Sequence, residues 1–277
     1  MTGALDSSML GKHTNYSSTY NPSLLFPIER SSSRANLTQK GALLPFFGWD
    51  IWTAYELSWL NMKGKPQCAV GNFIFPFDSK SIIESKSLKL YLNSINEEKF
   101  NDIDEVKAIV KKDLSEASEG DVSIELLGEE AFAASAISKF SGVNIDDLDI
   151  EFNEYEPNSS LLHNSCMEII EETLYSNMFK SNCPVTGQPD WASIQLSYKG
   201  RDISKEGLLK YLVSFRNHSG FHENCIERIF CDIMEVCSPE ILTVYGRFTR
   251  RGGLDINPIR TNDKSLLLPK NIRLFRQ

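Results

Sequence analysis

A cysteine and an aspartate flank one short stretch of the chain, CPVTGQPD, in which Cys183 is followed seven residues later by Asp190. A thiolate is a strong nucleophile, and a carboxylic acid can donate a proton to an atom that gains charge when the thiolate adds. The strand-like run WASIQLSYKG follows directly, so both side chains are expected near one end of a strand. On residue type alone, a buried structural cysteine and a turn aspartate after Pro189 are the more common roles.

Two other groups of polar residues stand where helices are expected to begin. HSGFHE places His222 and Glu223 before an apolar-periodic segment, and ESKSLK places Glu84, Lys86 and Lys89 on another. An acid in a first helical turn can simply complement the helix dipole, and charges three apart can form an exposed helix face. These residues are therefore candidate ligand-binding groups with ordinary structural alternatives.

A zinc site is a weak interpretation of the histidines. His218 and His222 are four apart and Cys225 follows, but Gly220 between them indicates a turn, which favours a solvated or capping role. The six cysteines form no CxxC pair, which suits reduced thiols in a reducing compartment. No metal is expected.

Length and composition predict a globular protein. The chain has 277 residues, of which 41% are hydrophobic and 24% charged, so it can bury a sizeable core. Its net charge of -8 argues against holding nucleic acid by bulk electrostatics. The first residues resemble no signal peptide and no run is long enough to span a membrane, so a cytoplasmic protein is expected.

The order of secondary-structure elements is predicted from hydrophobic periodicity. DIWTAYELSWL and AVGNFIFPF read as a hairpin, followed by helices in SKSIIESKSLKLYLNSI and DIDEVKAIVKKDLSEAS. VSIELL and LDIEFNEY then read as strands. The pattern of a strand, two helices and further strands is then repeated by WASIQLSYKG, GLLKYLVSF, HENCIERIFCDIMEVC, LTVYGRFTRRGG and LDINPIR. Residues 1–40 are rich in Ser, Thr and Asn and are expected to form an extended arm.

The two halves of the chain suggest an internal duplication. Residues 43–60 aligned on 182–199 share five identical pairs among eighteen, and residues 87–94 align on 207–214 at a shorter offset. The first alignment places Leu44 opposite Cys183, which suggests that only the second half kept the reactive pair.

Four motifs together give a specific resemblance. CPVTGQPDW, ESKSLKLYLNS, SFRNHSGFHE and GRFTRRGGLDINP closely resemble the NADPH-dependent 7-cyano-7-deazaguanine reductases of queuosine biosynthesis (QueF), in the long form with two tandem halves. The resemblance runs from about residue 40 to the C-terminus. It implies an α+β protein of two tunnelling-fold (T-fold) modules, each an antiparallel β-sheet with two helices, at 41–160 and 161–277. It also implies a homodimer.

The resemblance further implies the reaction, which is reduction of a nitrile to a primary amine with two NADPH per turnover and no metal. Cys183 would add to the nitrile to form a thioimide, Asp190 would supply a proton, and His222 would help to move protons afterwards. A neighbouring thiolate would discourage Asp190 from ionising, so that its carboxyl keeps a proton to donate.

Binding residues follow from the same resemblance. A carboxylate can accept two adjacent N–H groups of a deazaguanine, which makes Glu223 the first choice. The substrate would be bound by Ile83, Glu84, Ser85, Phe221, His222 and Glu223. No G-x-G-x-x-G motif indicates a Rossmann cofactor site, so cations must hold the phosphates. The NADPH residues would be Ser85, Lys86 and Lys89 at the start of one helix, together with Arg251 and Gly252 in a cationic segment that begins at Arg247.

Three alternatives remain open. The chain could be a thiol hydrolase of a nitrile or amide, or a non-catalytic T-fold protein that binds a purine or pterin. Cys183 and Cys225 could also form a reversible disulfide, although a core cysteine at position 225 is an equal alternative. No membrane and no nucleic acid partner is expected in any of these cases.

Overall fold

Residues 19–35, 37, 43–133 and 137–277, which the computed structural model describes, form a mixed α+β fold with mostly antiparallel strand pairing. The strands are β1 (Pro27–Glu29), β2 (Phe47–Asn61), β3 (Pro66–Pro76), β4 (Ser81–Ile83), β5 (Lys99–Phe100), β6 (Ser123–Leu127), β7 (Ile137–Ser138), β8 (Val143–Asn144), β9 (Asn164–Asn182), β10 (Pro189–Ile203), β11 (Ile241–Phe248), β12 (Leu254–Thr261) and β13 (Arg273–Leu274). The helices are α1 (Arg30–Arg34), α2 (Ser85–Ser94), α3 (Ile103–Ser118), α4 (Glu129–Ala133), α5 (Lys205–Ser214) and α6 (His222–Cys237). Among these helices, none has the length and apolar character needed to cross a membrane.

The described residues group into two compact units that exchange short segments of chain. One unit draws on Met1–Arg34, Asp50–Ala136 and Arg250–Ile256, and the other on Ala35–Trp49, Ile137–Thr249 and Asn257–Gln277. Units defined by contacts between residues need not coincide with the modules that are predicted from the sequence. The boundaries at 41–160 and 161–277 therefore remain a prediction.

The first unit is built on the predicted hairpin. Its strands run in the order β6-β3-β2, and β3 pairs antiparallel with β6 from Val70 to Ile74. The helices α2 and α3 contribute the buried residues Leu88, Tyr91 and Val110 to a core that also includes Trp52. Full burial of each such side chain contributes roughly 1.5–3 kcal/mol to stability.

Part of the predicted N-terminal arm belongs to this first unit. β1 pairs antiparallel with β4, Leu25 packs in the core, and Arg30 forms a buried ion pair with Asp50 at 2.6 Å. Residues 1–18, 36 and 38–40 of the predicted arm lie outside the described residues. The described part of the arm is therefore folded, with backbone pairing and a buried charge pair.

The second unit has strands in the order β12-β11-β10-β9-β8, and β12 belongs to it from Asn257 onward. The longest strand, β9, forms a hairpin with β10 whose register runs from Asn182 paired with Pro189 to Asn164 paired with Ile203. Helix α6 buries Ile226, Ile229, Phe230 and Ile233, which agrees with the apolar stripe predicted from the sequence. Its core is therefore a helix face packed on an antiparallel sheet.

The helices of the two units match in detail. α2 and α5 each span ten residues, and α3 and α6 each span sixteen. The hydroxyl of Tyr91 donates to Asp113, and that of Tyr211 donates to Asp232, so each helix pair is joined by the same polar contact. These equivalences support the duplication inferred from the sequence.

The strand alignment behind that inference is nevertheless wrong. It places β2 on β10, but β10 leads into α5 and pairs with the strand that follows both helices. In the first unit that position belongs to β3, which pairs with β6. The error arose because β9 was not recognised as a strand, so Leu44 and Cys183 are not equivalent positions.

The strand predicted at LDIEFNEY is also wrong. Residues 148–155 have no ladder partner, although their burial alternates between partly buried and exposed. The Asp, Asn and Glu residues that fill this segment are depleted in strands and favour solvent. Asn217 donates its N–H to the carbonyl of Tyr155 at the end of the segment, at 3.0 Å.

A pair of glycine substitutions tests how tightly one backbone contact is packed. Gly48 has φ +147, and a Cβ there would lie 2.0 Å from the carbonyl oxygen of Ile259. Gly64 has φ +80 and nothing within 4 Å of such a Cβ. We expect Gly48→Ala to lower the free energy of unfolding by roughly 3 kcal/mol or more, because the clash is with backbone. Gly64→Ala should lower the free energy of unfolding by only about 1–2 kcal/mol, because alanine there would have to adopt a left-handed conformation but would meet no clash. Urea denaturation followed by circular dichroism measures both, and equal losses would contradict this packing.

Candidate active site

Cys183 lies in the tight turn that joins β9 to β10. Its backbone N–H donates to the carbonyl of Gln188 at 2.9 Å, and its carbonyl accepts from the N–H of Gly187 at 3.0 Å. Gly187 has φ +67, which glycine adopts without a steric penalty. The turn therefore fixes Cys183 at the end of the hairpin, where the residue is 4% exposed.

Asp190 lies on the other side of the same turn. The hairpin register pairs Ser181 with Asp190, one position beyond the pair formed by Asn182 and Pro189. Asp190 is buried, with 6% of its surface exposed. The nucleophile and the acid predicted from the sequence are thus held at one end of one hairpin.

The backbone of Asn182 joins this hairpin to the segment that leads into α6. Its N–H donates to the carbonyl of His218 at 2.8 Å, and its carbonyl accepts from the N–H of Gly220 at 3.1 Å. Asn182 and Ser219 form a parallel bridge. Because α6 begins at His222, these bonds bring its first turn to the end of the hairpin.

His222 is the third member of this group. Its Nε2 lies 3.3 Å from Oδ2 of Asp190, within ion-pair distance, although neither ring nitrogen has the alignment of a hydrogen bond with a described residue. The imidazole stacks on Phe248 with ring centroids 3.8 Å apart and planes 3° from parallel. Stacking fixes the plane of the ring and leaves its nitrogens able to exchange protons with a ligand.

The rest of the first turn of α6 surrounds this pair. Phe221 precedes the helix and is partly buried, whereas Glu223 in the first turn is 2% exposed. Burial, together with the charges of Asp190 and Glu223, raises the pKa of the Cys225 thiol to about 12. Both carboxyl groups are therefore close enough to Cys225 to act on the same thiol electrostatically.

The predicted substrate residues of the first unit are at the start of α2. The carboxylate of Glu84 caps this helix, accepting from the N–H groups of Lys86 and Ser87 at 2.8 Å each. Ser85 donates its hydroxyl to Glu84 at 3.5 Å, and Ile83 ends the buried strand before it. Glu84 thus has a structural role as a helix cap. Substrate binding, which the sequence predicts for Glu84, would be a second role of the same carboxylate.

Two of the predicted cofactor residues are close together in the first unit. A Cβ at Gly252, where φ is +62, would lie 3.5 Å from Nζ of Lys89. Both residues line a cavity of about 90 Å³, together with Glu56, whose carboxylate is 3.2 Å from Nζ of Lys89. A Cβ at Gly252 would be in van der Waals contact with the side chain of Lys89, so the glycine lets a ligand approach the backbone beside this cation. Lys86 lies one turn earlier on α2, and Arg251 directly precedes Gly252.

Arg247 does not belong to the predicted cationic segment. It is 2% exposed and donates to Gln277, Asn271 and the hydroxyl of Tyr245, and also to the carbonyl of Ile272. A guanidinium that is enclosed by these acceptors is satisfied and cannot reach a phosphate. The sequence could not show this because the acceptors lie up to thirty residues further along the chain.

Other features of the site were also not predicted from the sequence. Phe248 stacks on His222, and Glu56 pairs with Lys89. Phe248 stands in the motif GRFTRRGGLDINP, but neither its residue type nor that of Glu56 indicated these contacts. His218 packs edge-on against Phe215, and burial lowers its pKa, so its imidazole favours the neutral form. Within the described ranges, no group of three His, Cys, Asp or Glu side chains could hold a metal ion.

Comparison with known protein families identifies matches in both halves of the chain. Residues 16–126 match the family model described as "Nitrile reductase, 7-cyano-7-deazaguanine-reductase N-term". Residues 189–266 match the model described as "QueF-like protein". Together these matches cover more than half of the chain, and they include all the predicted site residues except Cys183.

Curated relatives match over the whole length. The chain is 52% identical over 273 residues to an NADPH-dependent 7-cyano-7-deazaguanine reductase of Bordetella avium, covering 99% of both chains. It is 51% identical to the protein of the same name from Paraburkholderia phymatum, covering 98% of this chain and 99% of that protein. The crystal structure of an apo archaeosine synthase QueF-Like aligns with a TM-score of 0.31 at 15% identity, over 35% of this chain and 96% of that one. A structural match at that level supports no conclusion.

The contrast among the cysteines predicts their reactivity. Cys68 and Cys166 are exposed, whereas burial raises the pKa of Cys225 to about 12 and that of Cys237 to about 11. At pH 8 we expect iodoacetamide to modify the exposed pair rapidly and to modify Cys225 and Cys237 only after unfolding, since the thiolate is the reactive form. Peptide mass spectrometry over a time course measures each rate. Alkylation of Cys225 as fast as that of Cys166 would show that the described burial is wrong.

Proposed function

Since the chain belongs to the family of NADPH-dependent 7-cyano-7-deazaguanine reductases, we propose that it reduces the nitrile of 7-cyano-7-deazaguanine to 7-aminomethyl-7-deazaguanine in queuosine biosynthesis. The geometric observation that carries this proposal is the contact of His222 with Asp190 at 3.3 Å, beside the turn that holds Cys183. A nucleophile, an acid and a proton carrier are the groups that nitrile reduction requires from a protein.

The first proposed step is addition of Cys183 to the nitrile. The sulfur forms a bond to the nitrile carbon, one of the carbon–nitrogen π bonds breaks, and its electron pair goes to nitrogen, which takes one proton. The product is a covalent thioimide, whose carbon accepts hydride more readily than that of a nitrile. The turn from Cys183 to Gln188 positions the sulfur for this attack through two backbone hydrogen bonds.

Asp190 and His222 handle the protons in this proposal. Asp190 gives its proton to the nitrogen as the thiolate adds, because both groups lie at the end of the same hairpin. His222 contacts Asp190 and can return a proton to it or pass one to the nitrogen and the departing thiolate later. Phe248 keeps the imidazole plane fixed while these transfers occur.

Buried carboxylates are proposed to recognise the deazaguanine. Glu223 is 2% exposed and lies in the same helical turn as His222, so a base bound there would present its nitrile towards the hairpin. A carboxylate accepts two adjacent N–H groups of the pyrimidine edge. Phe221, Ile83, Glu84 and Ser85 are proposed as further substrate contacts, by resemblance to the family.

NADPH supplies the two hydrides when bound, and residues of the first unit are proposed to hold it. A phosphate is proposed to lie beside Gly252 and Nζ of Lys89, where it would replace Glu56 as the ion-pair partner of Lys89. Ser85, Lys86 and Arg251 are proposed to add hydrogen bonds and positive charge. No metal takes part in the proposed reaction.

The finer architectural predictions belong to the same proposal. We expect two T-fold modules, at 41–160 and 161–277, and assembly into a homodimer. The matched helices and their Tyr–Asp contacts support two related modules. The six free cysteines suit a reducing compartment such as the cytoplasm.

Hydrolysis is the chief alternative, because a thiol hydrolase would use the same cysteine and histidine. It would add water to the thioimide and consume no NADPH. Mixing the protein with 7-cyano-7-deazaguanine and NADPH separates these reactions through the absorbance of NADPH. A T-fold protein that only binds its ligand would form no covalent adduct in the absence of NADPH.

Substitution of the nucleophile gives a direct test. We expect Cys183→Ala to abolish both NADPH consumption and the covalent adduct, because no other group can form the thioimide. Cys166→Ala removes an exposed thiol of β9 and should retain full activity. Intact-protein mass spectrometry detects the adduct, and steady-state kinetics measure the reduction. Reduction by Cys183→Ala at the wild-type rate would disprove the mechanism.

The role of Glu223 predicts an effect on substrate binding. We expect Glu223→Gln to raise KM for the nitrile by roughly 10–100-fold, because a charge-assisted pair of hydrogen bonds is worth about 1.5–3 kcal/mol. Glu235→Gln changes an exposed acid on the same helix and should leave KM unchanged. If Glu223 acts only on the helix dipole, both variants will have wild-type KM and differ only in thermal stability.

A further inference from the structure

A large cavity of the second unit lies outside the groups assigned so far. It has a volume of about 610 Å³, which is within the usual range for small-molecule sites. Its walls come from the hairpin, from the turn after α5 and from the last residues of the chain. The lining residues are Phe152, Tyr155, Asn177, Met178, Trp191, Val213, Arg216, Asn217 and Arg276.

Aromatic and cationic side chains face each other in this cavity. The guanidinium carbons of Arg216 and Arg276 lie 5.5 and 5.0 Å from the ring centroid of Trp191. Arg276 also donates to the carbonyl of Asn177 at 2.9 Å, which holds it against the wall. The ring of Trp191 and two positive charges thus form one surface.

The positive charge of this surface is not paired with an acid in the part of the chain that the structure describes. Neither Arg216 nor Arg276 has an ion-pair partner among the residues that the structure describes, and no acid lines the cavity. Lys180 pairs with Trp191 in the ladder and donates to the carbonyl of Arg216. Burial and the charge of Arg216 lower the pKa of Lys180, which shows how closely the cations are crowded. A protein of net charge -8 has here a local excess of positive charge.

This combination selects a class of ligand. A carboxylate or a single phosphate would use the cations but leave most of the volume and the aromatic walls unused. An apolar ligand would leave two guanidinium groups facing it without an anion. An aromatic base joined to a phosphate uses both, since bases stack on aromatic and guanidinium planes and Arg binds phosphate through paired donors.

We infer that this cavity is a binding site for a nucleoside phosphate, with the base against Trp191 and Tyr155 and the phosphate on Arg216 and Arg276. The exposed side-chain amide of Asn217 lies at the same wall and can reach polar groups of the base or ribose. Trp191 directly follows Asp190 on β10, so an occupied cavity would lie next to the catalytic hairpin. The ligand could be a free nucleotide or the adenosine end of a dinucleotide.

Calorimetric titration of the full chain tests the site with two probes, 5′-AMP and adenosine 2′,5′-bisphosphate. We expect Arg216→Gln and Arg276→Gln each to weaken binding by roughly tenfold or more, since each removes a charge-assisted contact. Arg201→Gln is the matched control, because Arg201 is an exposed arginine of the same strand as Trp191 and does not line the cavity. No nitrile is present, so the result does not depend on the proposed reductase activity.

The two sources of the ligand give different patterns. Preference for the bisphosphate, with a KM for NADPH that rises in both variants, identifies the adenosine end of the cofactor. Equal affinity for both probes, with an unchanged KM for NADPH, identifies a separate nucleotide. Either pattern supports the inference. Absence of binding below about 1 mM, or equal weakening by Arg201→Gln, overturns it.

A second measurement covers variants that fold poorly. Photolabelling of the wild-type chain with 8-azidoadenosine 5′-monophosphate should attach the probe at Tyr155, Trp191 or Met178, as mapped by peptide mass spectrometry. Excess 5′-AMP should prevent this labelling. Labels confined to residues outside the cavity would overturn the inference.

Discussion

The backbone of one residue, Asn182, holds the candidate active site together. Its N–H and carbonyl bond to His218 and Gly220, so the end of the β9–β10 hairpin is tied to the chain just before α6. Side chains from three separate stretches of sequence then meet without any direct bond between Cys183 and His222 being required. Main-chain hydrogen bonds do not depend on side-chain identity, and this junction can therefore stay constant while the side chains around it change.

Local motifs were sufficient to select candidate catalytic residues but not to predict their surroundings. Cys183, Asp190 and His222 stand in short motifs whose residue types indicate chemistry, and the strand β10 and the helix α6, which carry Asp190 and His222, follow from periodicity. Phe248 and Arg247 have their partners far along the chain, and no periodic pattern encodes such contacts. A side chain that acts through stacking or through a distant acceptor leaves no local signal.

The fold was predicted well where one face of an element is buried and poorly where it is not. The helices α3 and α6 show clear apolar stripes and were assigned from them. The first half of β9 has consecutive exposed residues, including Met167 at 70% and Ile169 at 60% exposure, so the period of two is lost. If β9 had been recognised as a strand, β10 would have been identified as the second strand of the β9–β10 hairpin. It would then have been aligned with β3, the second strand of the first hairpin, and not with β2.

The Tyr–Asp contacts of the two helix pairs have an evolutionary consequence. Loss of the aspartate leaves the buried hydroxyl of the tyrosine without its acceptor, at a cost of roughly 1–3 kcal/mol, so substitution of the aspartate alone is disfavoured. The residues of a strand, by contrast, can be substituted more freely as long as alternate positions stay apolar. After a gene duplication, hydrogen-bonded pairs such as Tyr91 with Asp113 and Tyr211 with Asp232 should be retained longer than most other residues of the ancestral sequence. An ancient duplication can then be recognised from such polar pairs where runs of similar residues give a wrong alignment.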